Sequence, residues 1–282
     1  MEVGQLNKLR IGAIIQARMK STRLPGKIVL PLPLEKGKPL IVWIIDELKK
    51  SKFINEIVLS TSKQIENNNL RILAKQNAIS FFAGDENNVL SRFVAVIKKY
   101  ELDIVIRITG DNPIIDINLI DKLIETHYRE SNDYTYSEDL PLGMNIEVCK
   151  AKSLCEIYER KDLVNEDFEH VTFYFKRTNH FKIKSHSIKT ALLNKDIRLT
   201  VDYPVDFILL NVVVQIALEH HLSGIALVSY IDNKYSWLWD INNKVNQKKH
   251  FLSLEEELPF AIKLLGENNM KFSQQLLKGN NI

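Results

Sequence analysis

The 282-residue chain has too few cysteines for a disulfide framework. Cys149 and Cys155 stand alone, without the C-x-x-C spacing of a zinc or redox pair. Two plain thiols in a reducing compartment are the expectation. No G-x-x-x-x-G-K-[ST] phosphate loop and no G-x-G-x-x-G dinucleotide fingerprint occurs. A formal net charge of +3, without a long Lys/Arg block, argues against nucleic acid as partner. No apolar run approaches membrane-spanning length, and the stretch MEVGQLNKLR carries no apolar signal region. The expectation is a cytoplasmic protein with no membrane partner. Internal repeats and low-complexity linkers are lacking too.

What is present is alternation. Strand patterns at 11–16, 56–61, 78–83 and 103–108 are separated by helical apolar spacing at 41–48, 66–76, 87–100 and 117–128. That rhythm predicts an α/β fold, Rossmann-like, with a mostly parallel sheet and helices on both faces. After about 131 it breaks. Strands are expected at 133–137, 145–149, 181–188 and 197–201, with helices at 152–160, through 170–175 and at 205–218. Beyond His221 the pattern is less regular until a helical stretch at 254–265, and the polar end from Gly266 reads as loose.

The first strand runs into a loop that holds Arg18, Lys20, Arg23 and Lys27, with Ser21 and Thr22 between the cations. Such a loop can cradle an anion through backbone N–H groups and fixed charge. It can equally be a solvated basic loop behind a buried strand. Two aspartates matter by position: Asp111 follows the strand at 103–108, and Asp202 follows the one at 197–201. Ligands of an open α/β sheet bind beyond the carboxyl ends of its strands. One basic loop and two carboxylates at that edge suit a polyphosphate with Mg²⁺, which takes few protein ligands. Each Asp taken alone also suits a turn or cap before proline. Asp206 sits in the first turn of a helix, where the macrodipole favours a carboxylate by roughly 0.3–1 kcal/mol. On that ground Asp206→Asn is expected to lower stability only slightly.

The motif Gln16-Ala17-Arg18-Met19, continued by Ser21 to Lys27, resembles the N-terminal signature of the spore-coat-polysaccharide-type cytidylyltransferases, relatives of the CMP-sialic acid and CMP-Kdo synthetases. The likeness continues at Gly84-Asp85, Val89 to Arg92, Arg107 to Asp111, Gly143 to Glu147, Glu169 to Thr172, Leu199 to Asp202, Asp206, and Leu238 to Asn242.

The resemblance implies a nucleotidyltransferase fold at 1–222, with a small α+β substrate and dimerisation insertion at about 132–190 and a helical extension at 223–282. It implies a homodimer that converts CTP and a sugar acid into a CMP-sugar and pyrophosphate, for surface polysaccharide or glycan synthesis. Gln16, Ala17, Arg18, Ser21, Arg23, Lys27, Arg92 and Arg107 would meet the nucleotide, and Gly143, Glu147 and His170 the acceptor. Arg18, Lys27, Asp111 and Asp202 would be catalytic, with Mg²⁺ on the two aspartates. Tyr203 and Val205 stand where the family commonly has Thr and Glu, which leaves the acceptor open. A nucleotide-sugar-dependent glycosyltransferase and a non-catalytic nucleotide-sugar-binding protein are the other readings. The first often carries an Asp-x-Asp pair, absent here.

Overall fold

Strand β1 (Ile11–Gln16) separates two apolar cores. Ala13 and Ile15 belong to one, Ile14 to the other, as the two-residue period of a strand requires. A computed structural model describes residues 3–188, 197–245, 254–267 and 269–279. A short hairpin pairs β2 (Pro31–Leu32) with β3 (Lys38–Pro39). The main sheet adds β4 (Glu56–Ser62), β5 (Ser80–Gly84), β6 (Ile104–Thr109), β7 (Tyr134–Glu138), β8 (Glu147–Lys150) and β9 (Ile183–Ser187). Its order is β5-β4-β1-β6-β8-β7-β9. The first four of these strands are parallel, β8 is antiparallel to both neighbours, and β9 is parallel to β7.

Helices Leu40–Leu48, Asn68–Gln76, Ile117–Arg129 and Pro204–His220 fill the core on one face; Val89–Tyr100 and Ala151–Tyr158 fill the other. The mostly parallel sheet with helices on both faces is therefore as expected. Two of the helices are capped as their sequences prescribe: Asn88 accepts from Ser91 N at 2.8 Å and Asp116 from Leu119 N at 2.9 Å.

Four expectations change. Residues 197–201 are not a strand of the sheet. Their backbone is used instead by Leu142, which exchanges bonds with Ile197 and Leu199, and by Val201 N donating to Asp111 O at 2.9 Å. The helix expected through His170 is two, Asn165–His170 and Phe173–Arg177, because Val171 turns to φ 49° between them. Gly224–Tyr235 is a full helix whose Leu227, Val228 and Ile231 are buried. Lys271–Gly279 is helical as well.

The first compact unit closes at Lys244, not at 222. The reason is packing: Leu238 and Trp239 are buried in the first core, and the Asn242 amide bonds to Arg198 O and Asp206. The second unit holds helices Leu254–Glu267 and Lys271–Gly279, joined by Gln274 donating to Ile262 O at 2.9 Å. Residues 189 and 190, the end of the expected insertion, lie outside the described residues, as does the last stretch at 280–282. Among the described residues, no single helix is long and apolar enough to cross a membrane.

One buried group sets an acid limit. His127 is 2% exposed, with Nδ1 2.9 Å from Thr135 Oγ1. Burial pushes its pKa down from 6.5 to about 4. The unfolded chain takes up this proton near 6.5 and the folded chain only near 4, so stability is full above 6.5 and declines across that window. The decline by pH 4 is on the order of 3 kcal/mol. Melting curves at pH 7 and 4.5 should separate widely in the parent and less in His127→Gln; equal separations would remove this group as the cause.

Candidate active site

The register of β1 against β6 places Gln16 opposite Thr109, so the loops after both strands leave from one edge. Gly110 permits their contact: its N–H donates to Gln16 O at 2.9 Å, and a Cβ there would lie 2.8 Å from Ala17 Cβ. The basic loop is closed on itself, with Gly26 N bonded to Met19 O at 2.9 Å. It is tied to the body by Asn67, whose buried Oδ1 accepts from Met19 N at 2.9 Å. The loop ends in a short 3₁₀ turn, Lys27–Val29, which buries Ile28 and carries Lys27 inward with it. The alternative of a wholly solvated loop fails at this residue, since Lys27 is 7% exposed.

The Lys27 ammonium bridges the two aspartates, donating to Asp111 Oδ2 at 2.7 Å and Asp202 Oδ1 at 2.9 Å. Arg23 reaches the same Asp202 oxygen at 2.7 Å and lies 4.9 Å from the centre of the Tyr203 ring. Burial alone would raise the pKa of Asp202. Lys27, Arg23 and Arg198 outweigh it and hold the carboxyl below its ordinary value. Lys27, Arg23, Asp111 and Asp202 line a cleft of about 630 Å³, with Gln16, Ala17, Ser21 and Thr109. Exposed Arg18 and Lys20 stand in the same cleft. Arg92, also in the lining, is 6% exposed and donates to Asp85 O at 2.7 Å, while its Nε has no partner among the described residues. His170 and Glu169 border the cleft from helix Asn165–His170.

Three expected contact residues are not in the cleft lining. Arg107 and Glu147 face each other across β6 and β8 and form an ion pair. Glu147 also accepts from the Tyr134 hydroxyl and, at 2.8 Å, from Thr172 Oγ1. Burial opposes its charge, but Arg107, Lys176 and Tyr134 lower its pKa to about 2. This pair works from behind: Arg107 Nε holds Gln16 Oε1 at 3.1 Å, and Glu147 holds Thr172, beside the bend that follows His170. Gly143 is structural at φ 99°, since a Cβ there would lie 2.7 Å from Thr200 N.

Asp206 is also more than a first-turn carboxylate. It is fully buried and takes five hydrogen bonds: two from Arg198, one each from the Asp202 and Tyr203 N–H groups, and one from Asn242. Sequence reasoning passed over Arg198 and Asn67, and quoted Asn242 only as the end of the segment Leu238 to Asn242, without a role. Arg198 had a signal, a lone guanidinium inside an apolar run; Asn67 had none.

Taken together, the cleft offers cations for an anionic chain and two carboxylates at its base. Among the described residues no three His, Cys, Asp or Glu side chains cluster as a protein-built metal cage. Two carboxylate oxygens without soft ligands fit Mg²⁺, which completes its shell with water and phosphate.

Comparison with known proteins agrees with this geometry. The family model described as "Cytidylyltransferase" matches residues 12–223. The spore coat polysaccharide biosynthesis protein SpsF of Bacillus subtilis is 34% identical over 69% of this chain and 82% of its own. A 3-deoxy-manno-octulosonate cytidylyltransferase of Bdellovibrio bacteriovorus is 34% identical over 42% of this chain and 45% of its own. Among solved structures, a cytidylyltransferase from Leptospira borgpetersenii serovar Hardjo-bovis superposes with a TM-score of 0.75 at 26% identity, over 86% of this chain and 100% of its own.

Proposed function

The chain belongs to the cytidylyltransferase family, a family of nucleotidyltransferases, and from that premise we propose that its cleft joins CTP to a sugar acid, releasing pyrophosphate and a CMP-sugar. The observation that carries the reading is the Lys27 ammonium between Asp111 and Asp202, at the head of a basic loop. Neither the glycosyltransferase nor the binding-protein alternative is favoured by any relative described above. The octulosonate cytidylyltransferase supports a sugar acid as acceptor class, and the spore coat relative supports a role in polysaccharide synthesis.

Arg18, Lys20, Arg23 and Lys27 would neutralise the triphosphate and the departing pyrophosphate. Asp111 and Asp202 would hold Mg²⁺, which when bound acts as a Lewis acid and a template for in-line displacement. Ser21 and Ala17 line the same cleft. Attack by a sugar hydroxyl on the α-phosphorus spreads charge over phosphate oxygens, so fixed cations and positioning supply most of the acceleration. His170 and Glu169 flank the acceptor end, and Tyr203 seats Arg23 where a smaller residue would leave that cation loose. Pyrophosphate release is the test: it should appear with CTP and a 3-deoxy sugar acid and not with ATP, GTP or UTP. Equal release from all four nucleotides would overturn the assignment.

Lys27→Ala should raise the Michaelis constant for CTP and slow turnover, together by roughly 10- to 100-fold, the value of one or two charge-assisted contacts. CMP alone should bind nearly as before. Unchanged steady-state constants would show that the loop does not cradle phosphates.

The protein is proposed to act in the cytoplasm as a homodimer joined through its insertion, since β9 ends the sheet with one pairing partner among the described residues, β7. Light scattering at micromolar concentration should give twice the chain mass, and a fully active monomer would remove the idea.

A further inference from the structure

Asp202 has two carboxylate oxygens, and the protein treats them differently. Oδ1 faces the cleft, where Lys27 and Arg23 reach it at 2.9 and 2.7 Å. Oδ2 faces away and accepts from Arg198 Nη2 at 3.0 Å. Arg198 does not line the cleft, and it is 6% exposed. Its guanidinium cannot swing, because Asp206 grips Nε at 2.9 Å and Nη2 at 3.1 Å. Asp206 is fixed in turn at the start of helix Pro204–His220, by the Asp202 and Tyr203 N–H groups and by the Asn242 amide. A planar two-point clamp of this kind sets direction as well as charge.

We propose that Arg198 is a positioning residue for the reaction: by holding Asp202 Oδ2 it fixes the carboxylate's rotation, so that only Oδ1 is presented to the metal and phosphates in the cleft. The inference rests on the reading of Asp202 as a metal-bearing carboxylate given above. Without the clamp the carboxylate can turn, bind the cation with either oxygen, or swing both toward Lys27. Such groups behind a metal ligand typically alter metal affinity 10- to 100-fold. Asn242 is different in kind. It completes the shell of Asp206, but the two Arg198–Asp206 bonds and the Arg198–Asp202 bond do not pass through it.

The experiment measures Mn²⁺ binding by electron paramagnetic resonance in the presence of α,β-methylene-CTP, which cannot react. Parent protein, Arg198→Met, Arg198→Lys and Asn242→Ala are compared, with a melting curve for each. Both Arg198 variants should weaken Mn²⁺ binding 10- to 100-fold and change metal-free binding of the analogue less than threefold. Asn242→Ala should lower the melting temperature while its Mn²⁺ affinity stays within threefold of the parent. If Arg198→Met does not fold, Arg198→Lys carries the test, since it keeps the charge but cannot hold both aspartates. Arg198 variants within threefold of the parent, or Asn242→Ala weakening Mn²⁺ as much as Arg198→Lys, would overturn the inference. A parent protein that binds no Mn²⁺ with the analogue removes the metal reading of Asp202, and this inference with it.

Discussion

Asp202→Asn is expected to lower turnover by roughly a hundredfold or more while the protein still melts within a few degrees of its parent. The size of the loss follows from removing a fixed carboxylate that would hold the metal against the reacting phosphates, since one preorganised electrostatic group of this kind is worth about 10²–10³. The mild effect on folding follows from shape. Asparagine keeps an acceptor for Lys27, and the side chain is partly solvated, with 17% of its surface exposed. Dependence on Mg²⁺ should weaken in parallel, because the carboxylate would be one of two protein ligands. Magnesium titrations at saturating CTP give the answer. Parent-like turnover with parent-like magnesium dependence would show that Asp202 serves the fold alone.

Asp206→Ala should do the reverse in the first instance, unfolding the protein early. It leaves the 6% exposed Arg198 with only Asp202, and strands the two N–H groups and the amide that Asp206 satisfies. Removing one partner of a buried ion pair typically destabilises by about 3–5 kcal/mol. In a unit of this size that lowers the melting temperature by roughly 10 °C. Turnover in the surviving fold should fall as well, through the loosened Asp202. A melting temperature within about two degrees of the parent would show that the buried cluster contributes little.

The two aspartates also show what can be read from sequence. Asp202 was singled out because it follows an apolar run taken for a strand of the sheet; it does reach the cleft, but on a segment whose backbone pairs with Leu142 and Asp111 and not with the sheet. Asp206 was misjudged. A first-turn carboxylate suggests a helix dipole, but burial depends on Arg198 and on Asn242, which arrives from far along the chain. Long-range polar pairing leaves no periodic trace, so the sequence reading could not reach it.

The same limit explains Arg107 and Glu147. Each lies in a motif and each was expected at a ligand, yet strand register sets them against one another, behind Gln16 and Thr172. The β1, β4 and β6 strands and the helices between them were legible from apolar period alone, since their contacts alternate between two cores. Residues 197–201 carried the same apolar signal and still formed no ladder in the sheet, because their backbone partners are Leu142 and Asp111. A burial pattern specifies that a segment is inside, not which neighbour takes its hydrogen bonds.

The central claim is that the cleft around Lys27, Asp111 and Asp202 transfers the cytidylyl group of CTP to a sugar-acid hydroxyl. Phosphorus nuclear magnetic resonance of CTP incubated with the protein, Mg²⁺ and a 3-deoxy sugar acid follows that transfer directly. The account predicts that the three triphosphate signals give way to inorganic pyrophosphate and one new phosphodiester, at equal rates, and that both form roughly 10- to 100-fold more slowly with Lys27→Ala at comparable protein. Unaltered CTP across a panel of such acids, or release of inorganic phosphate with no phosphodiester, would contradict it.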